Sequence, residues 1–398
     1  MTERTQSVRT LGVLGGGQLG WMLGTAARRL GIECVFLDPA ERCPADMIGR
    51  RIRTAYDDRE GLRRLADEAD VVTYEFENVP ADAAAWLGEH LPVRPGPRSL
   101  ETSQDRLVEK TFIRSLGVPV PRFAAIDDRR SLETALQTVG EAAIFKTRRG
   151  GYDGKGQARF RVGEDPAEAL ATLGGVPAIA EALVPFDLEA STLVVRGIDG
   201  ETRTWHPIRN EHAGGILRRS DSPGPGISAA AEAAMRSHAV TIANALEHVG
   251  VLAVEFFVIG DDVLVNEMAP RVHNSGHLTI EHAHASQFEN HVRAVAGLPL
   301  RSTDSRFRSA TMLNAIGDRP RPADLESAGA KEVDTLGDGP VPVEAGAIRW
   351  HDYRKSSRTG RKVGHLTIVD DGIRDSRVAR LATIVPGASE APSLATGR

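Results

Sequence analysis

The feature that most restricts the fold is a turn close to the N-terminus. Thr10–Leu14 is a short apolar run, Gly15-Gly16-Gly17-Gln18-Leu19-Gly20 follows it at once, and a helical stretch continues to about residue 30. A strand that passes through a glycine-rich turn directly into a helix builds β-α-β units, with a parallel sheet covered by helices and ligands at the strand C-termini. Glu33–Leu37, ending on Asp38-Pro39, and residues 70–76, running into Glu77-Asn78-Val79-Pro80, repeat the strand pattern. The first segment therefore reads as an α/β, doubly wound parallel domain, and the pattern breaks at LPVRPGP, residues 91–97.

Gly15-x-Gly17-x-x-Gly20 meets the dinucleotide fingerprint, with Asp38 placed 18 residues beyond Gly20. The same spacing serves any α/β turn that brings an anion to a helix N-terminus. Gln18, inside the turn, is a polar group that a dinucleotide fold does not require. A nicotinamide cofactor and another anionic ligand are both open at this point.

Composition narrows the class. Lys plus Arg number 49 against 54 Asp plus Glu, a net charge of −5, which argues against a general nucleic-acid binder. Cys34 and Cys43 are the only cysteines, too few for a disulfide framework and not at zinc-site spacing. The opening residues show no signal-peptide core, and no run reaches about 18 uninterrupted apolar residues. The expectation is a soluble, cytoplasmic enzyme with no membrane partner, its 398 residues divided into two or three domains.

Beyond residue 104, SQDRLVEKTFIRSLG reads as one helix from Gln104, closed by Gly117. Strands are expected at Ala142–Thr147, 178–183 and Leu188–Arg196, and a hairpin at 252–269. The segment RRGGYDGKGQ, residues 148–157, directly follows the apolar strand AAIFKT. Gly150, Gly151, Gly154 and Gly156 would let main-chain amides close over phosphates while Lys146 and Lys155 supply charge. The alternative is an ordinary surface hairpin.

The hairpin carries the sharpest inference. It reads LAVEFFVI, Gly260-Asp261-Asp262, VLVNEMA. With a three-residue loop, 259 pairs with 263, 257 with 265, and Glu255 with Glu267. Two carboxylates about 5 Å apart are destabilising unless a cation lies between them, and a rigid carboxylate pair suits Mg²⁺ bridging to nucleotide phosphates. A register slip of one residue would send them to opposite faces. The polar loop Pro270-Arg271-Val272-His273-Asn274-Ser275-Gly276-His277 follows, a position for substrate contacts, with His273 the first candidate among its histidines. Between residues 354 and 362, Arg354, Lys355, Arg358, Arg361 and Lys362 stand without an acid, either a solvated face or a pocket for a phosphate monoester.

In order along the chain, GVLGGGQLGWML, TYEFENVP, QDRLVEK, KTRRGGYDGKGQ, EALVPFDLEAS, NEHAGGIL, NEMAPRVHNSGH and KSSRTGRKVGH resemble the ATP-grasp superfamily, and within it the N5-carboxyaminoimidazole ribonucleotide synthetase family, over about residues 8–385. The resemblance implies an N-terminal α/β domain (1–102), an ATP-grasp domain with a lid (103–300), a small β-rich C-terminal domain (301–385), a solvated tail (386–398) and a homodimer. It implies ATP contacts from Arg106, Lys146, the lid Gly151, Tyr152, Asp153, Gly154, Lys155, Gly156 and Gln157, the adenine hinge Glu181, Ala182, Leu183 and Val184, then Glu189, His212, Asn266 and Glu267. Mg²⁺ would sit on Glu255 and Glu267. The substrate 5-aminoimidazole ribonucleotide (AIR) would meet Gln18, Leu19, Glu75, Asn78 and His273, its phosphate held by Lys355 with Arg361 or Lys362. Asp153, Lys155, Arg271 and Asn274 would act in catalysis, Asp153 as a candidate for the amine proton. Trp21 stands where the family is expected to carry a basic residue. The implied activity is carboxylation of AIR with ATP and bicarbonate through carboxyphosphate. The competing readings are a sister ATP-grasp ligase resembling the formate-dependent glycinamide ribonucleotide transformylase or biotin carboxylase, an NAD-dependent dehydrogenase, and a nucleotide-sensing module without catalysis.

Overall fold

The computed structural model describes residues 8–140, 142–151, 155–161, 163–333, 343–370 and 375–388. Four parallel strands, β1 (Thr10–Leu14), β2 (Glu33–Leu37), β3 (Arg50–Ile52) and β4 (Val71–Tyr74), form the N-terminal sheet in the order β3-β2-β1-β4. β3 was not expected: three residues, two of them arginines, give no apolar period to read. Helix α1 (Gln18–Arg29) is buried from Leu19 to Ala27, because it packs on the sheet and also against the helix Gln287–Val295. Helices α2 (Arg59–Glu68), α3 (Ala81–Gly88) and α4 (Pro97–Ser103) lead to α5 (Arg106–Ser115). The single helix expected from Gln104 is broken there, since Asp105 leaves helical geometry and caps α5, its carboxylate accepting from the Leu107 and Val108 amides.

A small antiparallel sheet follows: β5 (Phe123–Ile126), β6 (Ala142–Thr147), β7 (Gln157–Arg161) and β8 (Ala178–Ala182), ordered β5-β8-β6-β7. The remaining strands are β9 (Leu188–Arg196), β10 (Thr202–Thr204), β11 (Ile208–Ala213), β12 (Ile216–Ser222), β13 (Gly250–Ile259), β14 (Asp262–Ala269), β15 (Ser309–Ile316), β16 (Ala330–Glu332), β17 (Ile348–Asp352) and β18 (Lys362–Asp370). They join one sheet ordered β14-β13-β9-β11-β12-β15-β18-β17-β16, with β10 beside β9. The C-terminal strands thus continue the central sheet through the β12–β15 ladder.

Strand period sorts β13 onto two cores. Leu252, Val254, Phe256 and Val258 pack with Met235, Ala239 and Ile242 of the helix Ala229–Ala245, whereas Val251 and Ala253 join the core under α1. Residues 386–388, expected within a solvated tail, are instead packed: the Pro386 carbonyl accepts from Ile316 N (2.8 Å) and Ala388 is buried. Among the described residues no helix is long and apolar enough to cross a membrane.

Candidate active site

The first glycine turn brings its own anion. The amides of Gly17 and Gly20 donate to the two oxygens of Glu75, each at 2.5 Å, and the Gly16 amide donates to Asp38 Oδ2 at 2.8 Å. Tyr56 adds a hydroxyl donor to Asp38 at 3.0 Å. A Cβ on Gly17 would stand 2.6 Å from Glu75 Oε1, so only glycine permits this approach. With the helix N-terminus filled by Glu75 and Asp38 turned onto the turn, neither the pyrophosphate nor the ribose contact of a dinucleotide is available. The nicotinamide reading fails on that geometry. Burial pushes the Glu75 carboxyl up, while the two amides and the Lys355 charge pull against it.

Lys355 donates to Gln18 Oε1, joining residues 337 apart in the chain at the mouth of this turn. Leu19 packs in the core, and Asn78 is exposed on the loop after β4. That loop is fixed by Gln104 Nε2, which donates to the carbonyls of Glu77 (2.8 Å) and Val79 (2.6 Å). Arg361 donates to Ser356 Oγ (2.8 Å), and Lys362 opens β18 next to it. The basic run is not free of acids in space: Arg354 pairs with Glu332 and lies 3.6 Å from Asp352, which removes it from a phosphate site.

The hairpin turn differs from the expected one, yet its two acids meet. The loop is shorter: Ile259 pairs with Asp262, Val258 with Val263, Phe257 with Leu264 and Phe256 with Val265, so the predicted 259–263 and 257–265 pairs do not form. A β-bulge then shifts the register by one and places Glu255 directly opposite Glu267. The extra residue is Asn266. Glu267 Oε2 accepts from Arg106 Nη1 (2.6 Å), and His273 Nε2 lies 3.1 Å from Glu255 Oε1. Burial disfavours the Glu267 charge, but Arg106, Lys146 and Lys110 outweigh it and hold this carboxyl far below the ordinary range. A carboxylate held towards its ionised form and facing a second one, with the Asn266 amide beside them, is an oxygen donor set suited to a hard divalent cation with phosphate oxygens completing its shell. Among the described residues no cluster of three or more His, Cys, Asp or Glu is assembled for a metal.

Around the pair lies a buried charged nest. Lys146 Nζ reaches Glu181 Oε2 (3.0 Å) and Asn266 Oδ1 (3.4 Å), and Lys110 Nζ approaches the same Glu181 oxygen (3.3 Å). The side chain of Glu181 is thus committed to cations. The amides of Ala182 and Leu183 donate to the carbonyls of Arg122 (2.8 Å) and Ala142 (3.1 Å), and Val184 is the first of the four expected hinge residues whose amide has no main-chain partner among the described residues. Glu189 and His212, on neighbouring strands, join through Glu189 Oε2 and His212 Nδ1 at 2.9 Å. Burial opposes the charged imidazole, yet Glu189 and Glu255 prevail and raise the His212 pKa.

The second glycine-rich segment is the β6–β7 hairpin, with Lys146 and Gln157 opposite each other at its base. The Gly156 carbonyl accepts from Thr147 N (2.8 Å), and Arg106 Nη2 donates to Gly151 O (3.5 Å). Lys155 and Gln157 are exposed. Tyr152, Asp153 and Gly154 of the expected lid lie outside the described residues.

Arg271 donates to Glu77 Oε2, and although burial opposes its charge, Glu77, Glu75 and Glu255 together raise its pKa. Asn274 is buried with both side-chain polar atoms unpartnered, a state that calls for a ligand or water. His273 is oriented by a directional chain. Ser275 N donates to its Nδ1 (3.3 Å), so neutral His273 carries its proton on Nε2, the nitrogen 3.1 Å from Glu255 Oε1. The contacts Ser275 Oγ–His273 Nδ1 (2.9 Å), Ser191 Oγ–Ser275 Oγ (2.8 Å), Asn210 Nδ2–Ser191 Oγ (3.0 Å) and Ser220 Oγ–Asn210 Oδ1 (2.8 Å) extend the chain. Gln287 fixes the same loop, accepting from His273 N (2.8 Å) and donating to His273 O (2.7 Å).

Comparison with known proteins matches three family models in order. Residues 8–104 match the ribonucleotide synthetase preATP-grasp domain, 111–288 the ATP-grasp domain, and 310–377 the phosphoribosylaminoimidazole carboxylase C-terminal domain. The N5-carboxyaminoimidazole ribonucleotide synthase of Pseudomonas aeruginosa is 44% identical over 378 residues, spanning 94% of this chain and 99% of that protein. The chain belongs to the N5-carboxyaminoimidazole ribonucleotide synthase family. Its fold is similar to the crystal structure of the Thermus thermophilus synthetase, with a TM-score of 0.86 at 46% identity over 94% of this chain and 98% of that one. It is also similar to the Aspergillus clavatus synthase in complex with ADP and AIR, with a TM-score of 0.84 at 29% identity over 95% and 99% of the two chains.

Sequence reasoning missed Glu77 as the partner of Arg271, the serine chain behind His273, and both Glu109 and Lys110. A signal existed for the last two: in QDRLVEK, Arg106, Glu109 and Lys110 fall at i, i+3 and i+4, on one helix face.

Proposed function

We propose that this enzyme carboxylates AIR to N5-carboxyaminoimidazole ribonucleotide with ATP and bicarbonate, releasing ADP and phosphate. One observation carries the reading: Glu255 and Glu267 stand directly opposite each other on the β13–β14 hairpin, with Arg106 on Glu267 and Lys146 reaching Asn266 beside them.

The reading gives each group a task. Lys146, Arg106 and the β6–β7 hairpin would hold the ATP phosphates, Val184 would read the base with its amide, and Glu189 would take the ribose hydroxyls. Mg²⁺ on Glu255 and Glu267 would neutralise charge on the transferring phosphoryl group. Bicarbonate attacks the γ-phosphate to give carboxyphosphate, and Arg271 and Asn274 would hold this anion. The exocyclic amine of AIR then attacks its carboxyl carbon, or CO₂ released from it, with phosphate leaving. Lys355 with Arg361 or Lys362 would anchor the AIR phosphate, and Gln18, Glu75 and Asn78 would face the rest. Asp153 is our candidate for the amine proton, and closure of the hairpin would keep water from carboxyphosphate. The reading includes domain limits at 1–102, 103–300 and 301–385, a cytoplasmic setting and a homodimer, all taken from the family resemblance.

The test is ADP release with each substrate omitted in turn. Release that requires AIR, bicarbonate and Mg²⁺ together supports the reading, whereas release indifferent to AIR overturns it. Glu267→Gln should abolish turnover with the fold intact, and near-normal turnover would remove the metal role from this residue.

A further inference from the structure

Helix α5 presents a buried stripe of ionisable side chains. Arg106, Glu109, Lys110 and Ile113 occupy one face, and Glu109 and Lys110 are only 2% and 1% exposed. Polar and ionisable groups are buried at a cost that only specific partners offset. Here the partners are main-chain groups of β14. Lys110 Nζ donates to the Asn266 carbonyl at 2.6 Å, and Glu109 Oε1 accepts from the Met268 amide at 2.6 Å. The two contacts fall on the residues immediately before and after Glu267.

Their location matters because β14 is the edge of the large sheet, with no strand on its outer side among the described residues. The Val265 amide is likewise taken from outside the sheet, by the Pro119 carbonyl at 2.9 Å. The bulge within this edge decides the site. If the register of the Ile259–Asp262 end ran on without it, Glu255 would oppose Asn266, and Glu267 would oppose Val254 on the other face of the hairpin. A bulge leaves its extra residue outside the ladder, so something else must hold it. Lys110 also faces Glu181 on β8 at 3.3 Å, tying the bulge to the hinge strand of the small sheet.

We infer that Glu109 and Lys110 are positioning residues for the nucleotide–metal site: they clamp the main chain on both sides of Glu267 and hold the Asn266 bulge that turns Glu267 towards Glu255. The inference rests on the metal reading of that carboxylate pair, and its test separates the two. ADP affinity is measured by calorimetry on the full chain, in Mg²⁺ and in EDTA, for wild type, Glu267→Gln, Glu109→Leu, Glu109→Gln and Lys110→Met. Glu109→Leu and Lys110→Met are expected to lose about tenfold of the affinity that Mg²⁺ adds, with ADP binding in EDTA little changed. Glu109→Gln retains an oxygen acceptor for Met268 N and should keep the Mg²⁺ gain. A folded Glu109→Leu with the full Mg²⁺ gain, alongside a Glu267→Gln that has lost it, overturns the clamp and leaves the metal reading standing. A Glu267→Gln that keeps the gain overturns both. Equal weakening of ADP with and without Mg²⁺ in Glu109→Leu marks a general structural role and also overturns the clamp. If Glu109→Leu does not fold, Lys110→Met decides by the same outcomes.

Discussion

Replacing Glu75 by Gln tests whether the first glycine turn is held by an internal carboxylate. Glu75 accepts two amides from the start of α1, each at 2.5 Å, in a buried setting. Hydrogen bonds to a charged group contribute about 1.5–3 kcal/mol each, and a buried amide left without an acceptor costs about 1–3 kcal/mol. Glutamine keeps one oxygen and turns an NH₂ towards the other amide. The desolvation that pushes the Glu75 carboxyl up offsets part of the loss, because the neutral amide does not suffer it. The net expectation is about 2 kcal/mol of local stability, equal to roughly thirtyfold faster opening. Hydrogen exchange of a peptide spanning residues 15–23 reads this directly, with the helix Ala229–Ala245 as an internal reference that should not change. Acceleration of less than about threefold would refute the assignment of Glu75 as the anion of this turn.

Further outcomes follow from the same structure. Burial lowers the pKa of His248 and His282 to about 4 and of His291 to about 3. These imidazoles stay neutral in the fold, whereas the unfolded chain takes up protons below about pH 6.5, so stability is full above that pH and falls from there towards pH 4, by up to about 1.4 kcal/mol per unit for each histidine. Urea midpoints at pH 7.5 and 5 should differ in that sense, and His291→Gln should narrow the difference; a midpoint higher at pH 5 contradicts the account. Arg271→Met leaves the half-buried Glu77 carboxylate without its partner and should cost about 1–3 kcal/mol, while Arg271→Met with Glu77→Gln should recover much of it; equal losses in the single and double variants would argue against a direct pair. In Gly276→Ala the new Cβ would stand 2.4 Å from Leu193 Cδ1 and 2.7 Å from Gln287 Cδ, so a loss of about 1–3 kcal/mol is expected in thermal unfolding.

The sequence made the repeating elements of the first domain legible because β1, β2 and α1 are apolar at the right period and are punctuated by glycine. β3 has no such period, and the break at Asp105 is a capping choice that helix propensity does not reveal. The glycine fingerprint misled in its ligand, since nothing local shows that Glu75, 55 residues beyond Gly20, will fill the helix N-terminus. The opposition of Glu255 and Glu267 was legible from spacing, although by a path with two departures: a shorter turn shifts the ladder by one, and the Asn266 bulge shifts it back. Local counting does not show the bulge because its supports, Glu109 and Lys110, come from a helix about 160 residues earlier, |i−j| being 159 and 156. The basic run at 354–362 showed its charge but not that Glu332 would take Arg354. Tertiary partners supplied what the motifs left open.

The central claim is that nucleotide cleavage is spent on placing a bicarbonate carbon on AIR. It is tested most directly by supplying ¹³C-bicarbonate with ATP, Mg²⁺ and AIR, and following the product carbamate by NMR while ADP is counted. The account predicts ¹³C in the N5-carbamate, one ADP for each carbamate, and neither product in Glu267→Gln. ADP formed without labelled carbamate, or carbamate formed without ADP, would contradict it.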